Sequence, residues 1–97
     1  MPSYIALMNW TDQGVKTFRD SVERADAAEI ALSPAGIKFK DLYWTVGSHD
    51  LVAIFEAPDD ETLAAALLTL AAQGNLRTTT LRAFTAEEMR GVIAKAT

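Results

Sequence analysis

LYWTVGSHDLVAIFEAPDDE, residues 42–61, holds two apolar runs, a short corner and an acidic helix start. Leu51 to Ala57 is a continuous apolar strand marred only by Glu56. The run before the corner, Ile37 to Val46, is apolar at odd positions first (Ile37, Phe39) and at even positions later (Leu42, Trp44, Val46). Side chains alternate across a strand, so this change of parity at Lys40-Asp41 marks a β-bulge. Gly47-Ser48-His49-Asp50 joins the two strands as a hairpin corner, and it carries the only histidine of the chain. Pro58-Asp59-Asp60-Glu61 then opens a helix, with acidic groups where the positive end of the helix dipole lies.

The same logic extends in both directions. Ser3 to Trp10 reads as a strand apolar on both faces, with Tyr4, Ala6, Met8 and Trp10 on one side and Ile5 and Leu7 on the other. Thr11 or Asp12 can cap a first helix, along which Val15, Phe18, Val22, Ala25 and Leu32 recur at helical spacing until Ser33-Pro34-Ala35-Gly36 stops it. The second helix runs to about Gln73 and ends at Gly74. Arg77 to Phe84 is a threonine-rich strand. Thr85-Ala86-Glu87-Glu88 is a capping box for a last helix, with Phe84 and Met89 spaced as a hydrophobic staple.

The order is β-α-β-β-α-β-α. Two interleaved βαβ units with right-handed crossovers predict a ferredoxin-like antiparallel sheet, strand order 4-1-3-2, with an added C-terminal helix. The doubly apolar strands are then central, and Lys38, Lys40, Arg77 and Arg82 fall on the edges, where charge discourages further pairing. No linker or composition break divides residues 1–97, so a single domain is expected.

Two helices cover one face of such a sheet. An open face normally alternates apolar with polar, and these central strands do not. A second copy packed face to face in a two-fold homodimer is the expected cover. The alternative is the last helix folding over that face. The second helix is leucine and alanine around most of its circumference. Leu63, Leu67 and Leu70 form one stripe, and Leu68 with Ala64 and Ala71 lies on its flank, which serves packing against the neighbouring helix, a further oligomer contact or the wall of an apolar cavity.

Composition narrows the function. An apolar fraction of 49 % is that of a globular chain. A net charge of −4 repels a polyphosphate, so no nucleic-acid partner is expected. The chain has no cysteine, hence no thiolate nucleophile or zinc-thiolate centre. MPSYIALMNW lacks the features of a signal peptide, and Leu63 to Ala72 is too short to span a bilayer. A cytoplasmic protein without a membrane partner is the expectation.

Candidate chemistry is sparse. His49 lacks the converging ligands of a metal site, and only Asp50 adjoins it. It is read as a corner residue, with Gly47 supplying a positive φ and Asp50 closing the turn; an axial haem ligand or a general base is the alternative. Asn9 interrupts an apolar strand, and Trp10, Tyr43 and Trp44 could wall a planar ligand; closing a turn and filling the core are the simpler roles. Asp26 and Glu29 flank the apolar stripe of the first helix and are weaker acid-base candidates.

Four segments, N-W-T-x-Q-G at 9–14, T-V-G-x-x-D at 45–50, V-A-I-F-E-A-P-D-D-E at 52–61 and G-N-x-R-T-x-T-L-R-A-F-T at 74–85, resemble the GYD-domain family. The corner here has His49 where the resemblance puts tyrosine between Gly47 and Asp50. The resemblance implies a dimeric α+β barrel and no settled activity. Similar barrels include cofactor-independent monooxygenases, isomerases, haem-degrading enzymes and effector-binding modules, with ligands between sheet and helices. The leading expectation is a homodimer holding a small apolar or aromatic ligand in that cleft, lined or gated by Asn9, Trp10, Tyr43, Trp44 and His49, with no metal and no required cofactor. A small monooxygenase or isomerase, with or without haem, and a partner-binding module acting through the leucine-alanine helix are the alternatives.

Overall fold

A computed structural model describes residues 1–96. In chain order the elements are β1 (Ser3–Trp10), α1 (Asp12–Lys16), α2 (Ser21–Leu32), β2 (Lys38–Trp44), β3 (Leu51–Glu56), α3 (Asp60–Ala72), β4 (Leu76–Ala83) and α4 (Ala86–Lys95). The strands form one antiparallel sheet ordered β2-β3-β1-β4. This α+β arrangement is consistent with a ferredoxin-like fold.

Strand periodicity builds the core. Tyr4, Ala6 and Met8 of β1 stand opposite Phe55, Ala53 and Leu51 of β3, and all six are buried. Phe39 meets Phe55 edge to face, with ring centroids 4.6 Å apart. Leu32 of α2 and Leu63 and Ala66 of α3 close this layer. The bulge lies where the change of parity puts it. Pairing steps from Phe39↔Phe55 to Asp41↔Ile54, leaving Lys40 without a partner, so Phe39 and Leu42 both turn to the core.

The helix ends follow local chemistry. The Asp59 carboxylate accepts from Thr62 N at 2.8 Å, and this bond holds its carboxyl below the usual range. Thr85 Oγ1 accepts from Glu88 N at 3.1 Å while Glu88 returns the bond to Thr85 N at 2.9 Å, a complete capping box.

The first helix departs from its expected form. It breaks after Lys16, where Thr17 leaves helical geometry (φ −110, ψ 36), and a 3-10 turn at Phe18–Asp20 precedes α2. Arg24 stabilises the break by donating to Thr17 O at 2.9 Å and to Gly14 O at 3.2 Å, carbonyls that a continuous helix would have paired with its own amides. The break rotates the expected stripe outward. Val15, Phe18 and Val22 are exposed, and only Leu32 of that set is buried. Asp26 and Glu29 are exposed on the same element.

The other face of the sheet is bare. Ile5, Leu7, Val52 and Ile54 are half-buried on it, with Leu81 and Tyr43 exposed beside them. α4 leaves it uncovered: none of the residues of α4 is buried, and Met89, Val92 and Ile93 share one exposed stripe.

Tyr4 carries the fold's one large titration shift among the described residues. Its buried hydroxyl donates to the Asp60 carboxylate, and burial first, then that carboxylate, pushes its pKa up to about 12. The folded state favours the neutral phenol. Stability from this group is therefore full below pH 10 and lost as pH rises through about 12. An absorbance titration should show Tyr4 ionising near pH 12, and Tyr4→Phe should remove both that step and the alkaline loss of stability. Ionisation of Tyr4 near pH 10 would contradict this environment.

Candidate functional site

Three stretches far apart in the sequence meet at the C-terminal end of β1. On one side, Thr11 N donates to Asn75 O at 3.1 Å and Thr11 Oγ1 donates to Gly74 O. Gln13 Nε2 donates to Gln73 O and to Asn75 Oδ1, both at 3.0 Å. These bonds draw α1 against the α3–β4 turn, and Gly14 is buried at the closest approach.

The hairpin corner clamps the other side. Trp10 N donates to Asp50 Oδ2 at 2.9 Å, and Asp50 N donates to Met8 O at 2.8 Å. Asn9 Nδ2 donates to Ser48 O, and Asn9 Oδ1 lies 2.9 Å from His49 Nδ1. With the amide nitrogen already donating, Oδ1 is an acceptor, so His49 donates to it from Nδ1. Gly47 does adopt a positive φ of 137. The Asp50 carboxylate, in contrast, reaches across to β1, and the turn is closed by Thr45 N donating to Asp50 O and Thr45 Oγ1 to His49 O.

The five candidate residues do not share one wall. Asn9 and His49 come together at the corner. Tyr43 stands on the bare face opposite Val52. Trp10 and Trp44 lie on the helix side of the sheet, where Trp44 Nε1 donates to Ser21 Oγ at 2.8 Å. Only Trp10 of the five lines the cavity between sheet and helices, a space of about 50 Å³ walled by Met8, Phe39, Phe55 and Leu70. Among the described residues, no three His, Asp or Glu side chains gather to hold a metal ion.

The GYD domain model matches residues 4–93. This chain belongs to the GYD-domain family. A relative from Thermus thermophilus is 36 % identical over 84 residues, spanning 86 % of this chain and 88 % of that protein, and is described as a glutamine synthetase and cystathionine beta-lyase binding protein. In this GYD domain the segments 9–14, 45–50 and the start of 74–85 that carry the resemblance are those that converge at the end of β1. Gln13, Gly14 and Asn75 were within those segments, but nothing local marked them as a clasp. Arg24 and Ser21, which also line the cavity, lie outside them and carried no sequence signal.

Proposed function

We propose that this GYD domain is a homodimeric protein-binding module that docks onto glutamine synthetase and cystathionine β-lyase. The observation that carries the reading is the relative bearing that description, matched along most of both chains. The bare, half-apolar face of the sheet supports self-association, since a second copy would remove it from water. The helical layer then faces outward. It presents Leu68 of α3, 72 % exposed, with Val15, Phe18 and Val22 at the α1–α2 break. Isolated exposed apolar residues are ordinary, but several on one layer suit the centre of an interface. No helix among the described residues is long and apolar enough to cross a membrane. A small ligand in the cleft is compatible with this docking role.

The test uses the purified protein and the two enzymes of its own organism, with binding read by surface interferometry. Binding to at least one is expected, and Leu68→Glu or Phe18→Glu should weaken it about tenfold or more, since a charge at the centre of a contact must be desolvated. The dimer should survive these changes. Failure to bind either enzyme would dismiss the reading. Binding unaffected by either substitution would move the docking surface elsewhere.

A further inference from the structure

The cavity beside Trp10 has an unbalanced set of polar groups. Trp10 lines it, and the indole Nε1–H is buried without an acceptor among the described residues. Arg24 lines it too. Its guanidinium bonds only neutral oxygens, Thr17 O, Thr17 Oγ1 and Gly14 O, and no carboxylate pairs with it among the described residues. Of the other polar side chains lining it, Gln73 has no side-chain partner among the described residues, and those of Asn75 and Ser21 are engaged. Asn75 O takes Thr11 N, Asn75 Oδ1 takes Gln13 Nε2, and Ser21 Oγ takes Trp44 Nε1. Trp10 and Arg24 therefore line a space whose remaining wall, apart from Ser21, Gln73 and Asn75, is aliphatic and aromatic.

An unmet buried donor is costly, and its usual remedy is an occupant that accepts. We propose that this cavity binds a small monocarboxylate. One carboxylate oxygen accepts from Trp10 Nε1–H, the charge lies beside Arg24, and a short apolar tail rests against Met8, Phe39 and Leu70. Size restricts the class. A water needs about 10–15 Å³ on this measure, and the cavity has about 50 Å³, so acids of two or three carbons fit and benzoate does not. The proposal concerns the cavity alone and stands or falls separately from enzyme docking.

The probe is sodium propionate, and the readout is the ¹⁵N-labelled indole resonance of Trp10, distinguished from that of Trp44 by Trp44→Phe. A saturable downfield shift of Trp10 Hε1 is expected with propionate. Propionamide, which keeps an acceptor but no charge, should bind about tenfold more weakly or worse, and propylamine not at all. Trp10→Phe keeps an aromatic, though smaller, ring and removes the donor, so calorimetry should show propionate affinity reduced about tenfold or more while the fold is retained. Arg24→Gln should do the same, but it also disturbs the α1–α2 break, so Trp10→Phe decides. Three results would overturn the site: a Trp10 resonance unmoved by propionate, an equal response to propylamine, or undiminished propionate binding by Trp10→Phe. An indole that shows contact with water and is not relieved of it by propionate belongs with the first and would leave a hydration site only.

Discussion

Gly14→Ala is expected to cost about 3 kcal/mol of folding stability, a large effect for one methyl group. A Cβ built at this position would lie 2.0 Å from Asn75 O, 2.9 Å from Asn75 C and 3.0 Å from Asn75 Cα. These are backbone atoms, so no side-chain rotation relieves the clash. α1 would have to retreat, stretching the Thr11 N to Asn75 O bond and the two bonds from Gln13. The helix-propensity gain of alanine, up to about 1 kcal/mol, offsets only part of this. Gly91→Ala is the matched control, because a Cβ there meets nothing, and it should stabilise α4 by up to about 1 kcal/mol. Urea denaturation of the two variants measures the contrast. If Gly14→Ala unfolds at the wild-type midpoint, α1 does not approach the α3–β4 turn this closely.

Ile5→Glu is expected to convert the proposed dimer to monomer. Ile5 lies at the centre of the bare face, between Ile54 of β3 and Leu81 of β4. In an isolated chain the carboxylate would remain in water and cost little. In a face-to-face dimer both copies would bury it against aliphatic side chains, and an uncompensated buried charge costs about 3–5 kcal/mol. The dissociation constant should rise by at least a hundredfold on that scale, on the order of 1.4 kcal/mol per factor of ten. Native mass spectrometry of both proteins reads the outcome. A wild-type monomer would remove the dimer proposal, and a dimeric Ile5→Glu would place the contact on another surface.

Parity made much of the sheet legible. Phe39 and Leu42 cannot both face the core of a regular strand, so the bulge at Lys40 followed from two apolar residues three positions apart. The same rule bears on the candidate site. Asn9 and Trp10 are neighbours on one strand, as are Tyr43 and Trp44, so each pair straddles the sheet. Trp10 falls on the helix side with Tyr4, Ala6 and Met8, as its even position requires. The partners of Asn9 were not legible, because His49 and Ser48 reach it through tertiary folding across about forty positions. Nor was the break in the first helix. Val15, Phe18 and Val22 keep helical spacing, while the interruption depends on Arg24 reaching back to Thr17 and on Gly14 fitting against Asn75. Asp20, four residues before Arg24, invites an ordinary helical ion pair, but the helix has not started there.

The central place of β1 also sets a timetable for synthesis. β1 is made before either of its neighbours, β3, from Leu51, and β4, which ends at Ala83. Ser3 finds one of its cross-strand partners in Ala83, so the stretch Tyr4–Trp10 waits unpaired on that side until β4 has been synthesised. Contacts of such long sequence separation form slowly and leave strand edges available in the meantime. Completion of the sheet therefore awaits β4, and a nascent chain stalled before it would present one side of a central, largely apolar strand to whatever lies nearby.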